Sequence, residues 1–269
     1  MSGAIPIGPL LVPLPLLIVF VSVGVASWVG RHLGRRAGVD AEAVPWQALL
    51  IGIAVARLAF VAQFAPIYLE SLLAIVDIRD GGWNPVAGFA AAWLYAGLRL
   101  WRTPALRRPL VGALLAATLL FAAGHWLVEP RGESAMRLPA LAFESLDGET
   151  VRLDAFAGKP TVVNLWATWC PPCVREMPVL RNAQQARSDV HFVFIDQGES
   201  GEQVRRWLDA AGLQLHNVLL DPDRNATSVF EQNGYPVTLF FDADGRLVDT
   251  RIGALSPATL QARLARVTK

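Results

Sequence analysis

Cysteine is nearly absent from this chain of 269 residues: there are two, Cys170 and Cys173, inside one four-residue window. That scarcity excludes a disulfide-stapled scaffold, which needs several pairs. A structural zinc site takes about four ligands, and the histidines (His32, His125, His191, His216) lie far apart in sequence, so neither a metal nor another cofactor is expected. Charge is also scarce, at 17% of residues against about 25% in an ordinary globular chain. With 53% hydrophobic residues and a mean hydropathy of +0.37, part of the chain is expected to be solvated by lipid. A surplus of positive charge is missing too: 24 Lys and Arg face 23 Asp and Glu, for a net charge of +1. Nucleic acid is thereby excluded as a partner, because phosphate binding needs a basic face. There are no internal repeats and no low-complexity tracts.

What is present divides near residue 130. Four long apolar stretches crowd the first half, roughly Leu10 to Gly30, Trp46 to Leu69, Pro85 to Trp101 and Leu110 to Val128. Each is about the length that crosses a ~30 Å hydrocarbon core as a helix. In the third, Arg99 and Arg102 trim the end. The first stretch is read as a retained helix rather than a cleaved leader. No basic residue precedes it, its start is punctuated by Pro6, Pro9, Pro13 and Pro15, and Arg31, Arg35 and Arg36 follow it.

Arginines alternate across the loops. Arg31, Arg35 and Arg36 lie between stretches one and two, and Arg102, Arg107 and Arg108 between three and four. The intervening link has only Arg79 beside Glu70, Asp77 and Asp80. Because Arg and Lys mark cytoplasmic loops, both ends of this unit are predicted to face outward. The expected location is therefore the inner (cell) membrane, multi-pass, with everything after Val128 in the periplasm or its equivalent.

The predicted layout is a four-helix transmembrane region over 1–129, a polar linker over 130–136 containing Pro130 and Gly132, and a soluble α/β domain over 137–269. In that last part, apolar runs alternate with amphipathic stretches. Val162–Trp166 reads as a buried central strand. Ala167-Thr168-Trp169 leads from it into Cys170-Pro171-Pro172-Cys173 and then into helical text. Cys170 is thus placed at a helix N-terminus, where proline is welcome in the first turn. End amides and the helix dipole there favour a thiolate. The two-residue spacing lets the second sulfur close on the first: Cys170 attacks a substrate disulfide, and Cys173 resolves the mixed disulfide. The alternative is two small buried residues that happen to be cysteines.

WATWCPPCVREMP resembles the active-site segment of the TlpA/ResA/DsbE group of thioredoxin-like proteins, over roughly residues 137–267. The resemblance includes a hairpin, LPALAFESLDGETVRL, turning at Asp147-Gly148, the strand HFVFID, and the segment GYPVTLFFDADGRLV. It implies an α/β thioredoxin-like fold behind the helical membrane bundle, and a periplasmic thiol–disulfide reductase that takes protein disulfides as substrates.

By position, Pro236 matches the cis-proline facing the cysteines in such folds, which implies that the Tyr235 backbone pairs with the substrate chain. Glu176 resembles an acidic residue the group keeps near its cysteines, where it would move the proton Cys173 must lose. Otherwise Glu176 is a solvated first-turn acid. Asn164 stands where thioredoxin carries a buried aspartate, which puts more weight on Glu176. Trp169 and Trp166 are expected to wall the site, with plain core as the other reading for both. Asp196 is read either as touching the rim or as an ordinary strand-end acid.

In the first half, the span from Ala56 to Trp83 resembles part of the prolipoprotein diacylglyceryl transferase family, through Arg57 and Asp80-Gly81-Gly82. That family's histidine is missing from the matching 83–88, and its later arginine-bearing segments have no room here. A shortened relative without lipid transfer is implied. Arg57, costly in a membrane, is expected to pair with Glu70, Asp77 or Asp80, or to bind a headgroup or partner. His125 is read as interfacial. Since this half has no cysteine, it cannot relay electrons through dithiols. The resemblance therefore suggests a DsbD/CcdA-type membrane electron donor. Three other readings stay open: the same site working as a thiol oxidase, a lipid-binding membrane module with a regulatory redox domain, and a thioredoxin-fold binding module.

Overall fold

The computed structural model describes residues 4–7, 10–128, 136–232 and 234–268. The linker expected at 130–136 lies, save for Met136, outside the described residues. The chain forms two compact units, one built on residues up to Pro66 and from Gly82 through the fourth long helix, the other on Ile67–Gly81 together with the chain from residue 136 onward.

In the first unit, β1 (Ala4–Ile7) and β2 (Leu10–Pro13) pair as an antiparallel hairpin. Helices α1 (Leu14–Ala37) and α2 (Ala43–Gln63) follow, with a short α3 (Ala65–Leu69) and then α4 (Pro85–Arg102) and α5 (Arg107–Val128). The first apolar stretch therefore turns helical four residues later than predicted. Proline keeps its preceding residue extended, so Val12 ahead of Pro13 stays in a strand. Arg35 and Arg36 sit in the last turn of α1 rather than in a loop.

All four predicted helices form, but among the described residues three are long and apolar enough to cross a membrane: Leu16–Ala37, Ala43–Gln63 and Pro104–Gly124. The expectation of four spans is met in part. α4 is 18 residues long and closes on Arg99 and Arg102, which lower its apolar content. α1 packs on α5 and α2 on α4. The second pair approaches through glycines: a Cβ on Gly88 would lie 2.8 Å from the Gly52 carbonyl oxygen, the close backbone contact small residues permit in apolar helix pairs. Arg57 on α2 is buried, donates to the Gly82 carbonyl at 2.9 Å and lies 6.0 Å over the Trp83 ring.

The second unit is built on a seven-stranded sheet in the order β4-β3-β7-β6-β5-β8-β9. Its members are β3 (Ala142–Ser145), β4 (Thr150–Arg152), β5 (Thr161–Trp166), β6 (His191–Gln197), β7 (Val218–Asp221), β8 (Val237–Phe241) and β9 (Leu247–Ile252). β5, β6 and β7 run parallel and the other pairs antiparallel. The β3–β4 hairpin turns where predicted, with Gly148 at φ 83°, a conformation glycine adopts at no steric cost.

Side chains alternate across a strand, and the two cores separate accordingly. Val162, Trp166, Phe192, Phe194 and Phe240 face one layer, and Val163, Leu165, Val193, Ile195, Leu239 and Phe241 the other. The first layer is covered by α6 (Pro171–Ala186), α7 (Gly201–Ala211) and α9 (Pro257–Val267). The short α8 (Asn225–Val229) contributes Ala226 to the second.

Candidate active site

Central strand β5 is buried at every position and delivers the chain to the N-terminus of α6. Cys170 is the residue that caps this helix. It is extended (φ −93°, ψ 103°), and its Sγ accepts from the Cys173 amide at 3.3 Å. Pro171 occupies the first turn, where the missing N–H leaves no helical bond unmade. The two cysteines form a disulfide with Cα atoms 5.3 Å apart. Both sulfur-bearing side chains sit in the α6-side core, Cys173 fully buried and Cys170 nearly so. Further along, Pro178 interrupts the helix ladder inside α6.

Glu176, one turn past Cys173, is 1% exposed, so the solvated first-turn reading does not hold. Its Oε1 accepts from Asn164 Nδ2 at 2.8 Å and its Oε2 from the Leu255 amide at 2.8 Å. Burial pushes its carboxyl up to about 7, against the opposing pull of the Asn164 and Leu255 donors and the Arg251 charge. Removal from water penalises the charged form, and here it outweighs three groups that favour it. Asn164 also donates to Thr238 Oγ1 at 3.0 Å, so it joins the acid on α6 to the strand that follows Pro236.

The Tyr235–Pro236 peptide is cis, as the position of Pro236 implied. Tyr235 packs against the core layer that holds both cysteines, and its ring meets Trp169 edge-on at 5.9 Å. Its hydroxyl lies 3.0 Å from Thr227 Oγ1. Trp169 is 54% exposed, whereas Trp166 is wholly buried against Trp207. The two tryptophans thus divide: Trp169 forms surface beside Cys170, and Trp166 is core.

Asp196 is a fully buried carboxyl rather than an ordinary strand-end acid. Three residues on, Glu199 accepts from the Thr168 amide and the Thr168 hydroxyl, each at 2.6 Å. Sequence reading passed over Glu199 and Thr168. They are 31 positions apart; Thr168 lies inside the WATWCPPC segment, and Glu199 carries no signal beyond a Gly-Glu-Ser at the end of an apolar strand. Among the described residues, no group of three or more His, Cys, Asp or Glu side chains is arranged to hold a metal ion.

Residues 133–264 match the family described as Redoxin. The chain is 28% identical over 136 residues to the thioredoxin-like protein YneN of Bacillus subtilis, covering 49% of this chain and 79% of that protein. It is 27% identical over 124 residues to the thiol-disulfide oxidoreductase ResA of the same organism, covering 45% and 69%. A solved structure of MTB dsbF aligns with a TM-score of 0.45 and 26% identity, over 48% of this chain and 96% of that one.

Proposed function

We propose, from the premise that residues 133–264 are a thioredoxin-fold thiol–disulfide oxidoreductase domain of the TlpA/ResA/DsbE-like group, that the protein reduces protein disulfides outside the cytoplasm while anchored by a four-helix membrane region over 1–129. One observation carries the chemistry: Cys170 caps α6 and is disulfide-bonded to Cys173 one turn inward.

In the reduced protein, the Cys170 thiolate attacks one sulfur of a substrate disulfide. A mixed disulfide forms, and the other substrate sulfur leaves as a thiolate that takes a proton. Glu176, as carboxylate, accepts the Cys173 proton. The Cys173 thiolate then attacks Cys170 Sγ and releases the second substrate sulfur. Two electrons have passed to the substrate, and the Cys170–Cys173 disulfide remains. Trp169 and the Tyr235–Pro236 segment beside Cys170 supply the surface on which the substrate chain rests.

Apocytochrome c cysteines or another thiol–disulfide protein suit this site as substrates, and a DsbD/CcdA-type membrane donor would return the electrons. The alternation of arginines between the ends of successive helices supports a periplasmic redox domain. So does the grouping of Ile67–Gly81, the predicted outward loop, with the redox domain in one compact unit.

The decisive experiment is Cys173→Ser in cells. It should freeze Cys170 covalently on its physiological substrate, whereas Cys170→Ser should capture nothing. Acid trapping of the wild type tests the direction. A mainly reduced pair that turns oxidised when the membrane donor is deleted supports reduction; a pair that stays oxidised whatever the donor makes the protein an oxidase.

A further inference from the structure

Glu176 takes one of its donors from the Leu255 amide, at 2.8 Å to Oε2. Leu255 lies in the loop 253–256 that joins β9 to α9. The same loop is tied to the exchange site a second time, because the Gly253 amide donates to the Pro236 carbonyl at 2.9 Å. Where this loop lies therefore decides how Glu176 is supported.

The loop is held by a segment remote in sequence. Ile67–Gly81 belongs to the compact unit of the redox domain, although the chain before and after it belongs to the other. It ends in a single helical turn, Ile78–Asp80, capped by Asp77, whose Oδ1 accepts from the Arg79 amide at 3.1 Å. Arg251, near the end of β9, donates from Nη2 to the Arg79 carbonyl at 2.7 Å and to the Ala254 carbonyl of the loop at 3.4 Å. Ser256 Oγ donates to Asp80 Oδ2 at 3.3 Å, and the buried Tyr68 hydroxyl donates to the same oxygen at 2.7 Å. As the cap of α9, Ser256 Oγ also accepts from the Thr259 amide at 3.2 Å; a hydroxyl has one proton and two lone pairs, so it can serve both. Gly81 closes the turn at φ 69°, and a Cβ there would collide with the Arg251 guanidinium. Glycine is required at that position by conformation and by space.

We propose that Asp80 is a positioning residue for the resolving step. Through Ser256, and beside the Arg79 carbonyl that engages Arg251, it holds the 253–256 loop so that the Leu255 amide supports the Glu176 carboxylate. The inference rests on the reading of Glu176 as the group that accepts the Cys173 proton. A donor to a carboxylate favours its charged form, the form able to take that proton. With the loop loosened, more of Glu176 is protonated and the Cys173 thiolate forms more slowly. None of these contacts touches Cys170, so its attack on a disulfide keeps its rate. Removing the Asp80 charge would by itself act in the opposite sense, because a nearby negative charge disfavours a carboxylate.

The test measures two rates at pH 7 in the reduced full-length protein in detergent. Alkylation of Cys170 by iodoacetamide reads the nucleophile, and rapid-mixing tryptophan fluorescence with a peptide disulfide reads resolution. Asp80→Ala should slow resolution about ten-fold, the scale of a lost hydrogen bond to a charged group, and leave alkylation unchanged. Asp80→Asn keeps an oxygen acceptor for Ser256 and should restore most of the rate. Ser256→Ala breaks the same link from the other side and leaves the 67–81 segment intact, so it carries the same prediction where Asp80→Ala does not fold. Combining the two should slow resolution no further, because coupled residues are not additive. Resolution at the wild-type rate in Asp80→Ala overturns the proposal. So do fully additive effects in the double variant, or alkylation slowed as much as resolution. Glu176→Gln is measured alongside. If it resolves at the wild-type rate, the Glu176 reading falls and this proposal with it; if it resolves slowly while Asp80→Ala is normal, the Asp80 proposal alone falls.

Discussion

Asn164 on β5 donates from Nδ2 to Oε1 of Glu176 on α6 at 2.8 Å, across the buried face between strand and helix. The pair explains how an acid 1% exposed is tolerated behind the cysteines. Glu176 is neither solvated nor ion-paired at that oxygen; an amide that cannot titrate supports it. Its proton affinity is consequently set near neutrality, where gain and loss of a proton cost about the same.

Replacing the acid tests that setting. Glu176→Gln should remove the rise in mixed-disulfide resolution that wild type shows as pH passes about 7, slowing resolution by about 100-fold at pH 8, the usual scale for a lost general base. Rapid-mixing tryptophan fluorescence with a peptide disulfide reads the step.

The same acid predicts a stability signature. The native state raises Glu176 from 4.5 to about 7, so it binds the proton more tightly than the unfolded chain does. Stability therefore falls as pH rises from about 4.5 to about 7 and levels off above. Relative to wild type, oxidised Glu176→Gln should gain on the order of 2–3 kcal/mol across that window. Denaturant midpoints at pH 5 and pH 8 check it, and an equal difference at both would contradict the assigned burial.

Asn164→Ala takes away a donor that favours the charged form of Glu176. The carboxyl should move further above 7, and the pH midpoint of resolution should follow it upward. The unfolding free energy should drop by about 1 kcal/mol for the lost hydrogen bond.

Trp169→Ala should weaken protein-substrate binding without unfolding the domain, because this ring is 54% exposed and meets Tyr235 alone among the described aromatic rings. KM for a protein disulfide should rise about five-fold, the worth of one aromatic contact, with kcat and Tm little changed. Trp166→Ala should instead cost about 3–5 kcal/mol of stability as a core truncation.

Arg57→Ala separates the apolar helical unit from the chemistry. Arg57 is engaged with Gly82 and Trp83, and insulin reduction by the purified full-length variant should stay within about two-fold of wild type, the small effect usual for a change remote from the reacting groups. Loss of activity here, with Cys170→Ser still active, would make the apolar helical unit the functional part.

Much of the redox domain was legible. The Asp147-Gly148 hairpin, the buried run Val162–Trp166, the helix opening at Pro171 and the cis bond before Pro236 all appear where local chemistry and resemblance placed them. The first three rest on short-range rules (a turn needs its glycine, a buried strand its apolar run, a helix start its proline and cap), and the cis bond on the resemblance. The apolar first half was read less sharply. Apolar length alone could not tell that Val12–Pro13 would stay extended or that Arg99 and Arg102 would leave α4 short of the other three helices.

The sequence by itself determined the chemistry, since two cysteines two residues apart at a strand-to-helix junction admit little else. Only the tertiary structure decided the electrostatics around them. The linear text left Glu176 open between a proton-moving acid beside the cysteines and a solvated first-turn acid, and Asp196 between a rim contact and a strand-end acid; whether a carboxyl is solvated or buried depends on what the sheet and helices lay over it. The same holds for Asn164 and Glu176, 12 positions apart, and for Thr168 and Glu199, 31 apart. Such pairs are made by packing across elements, and no local periodicity encodes them.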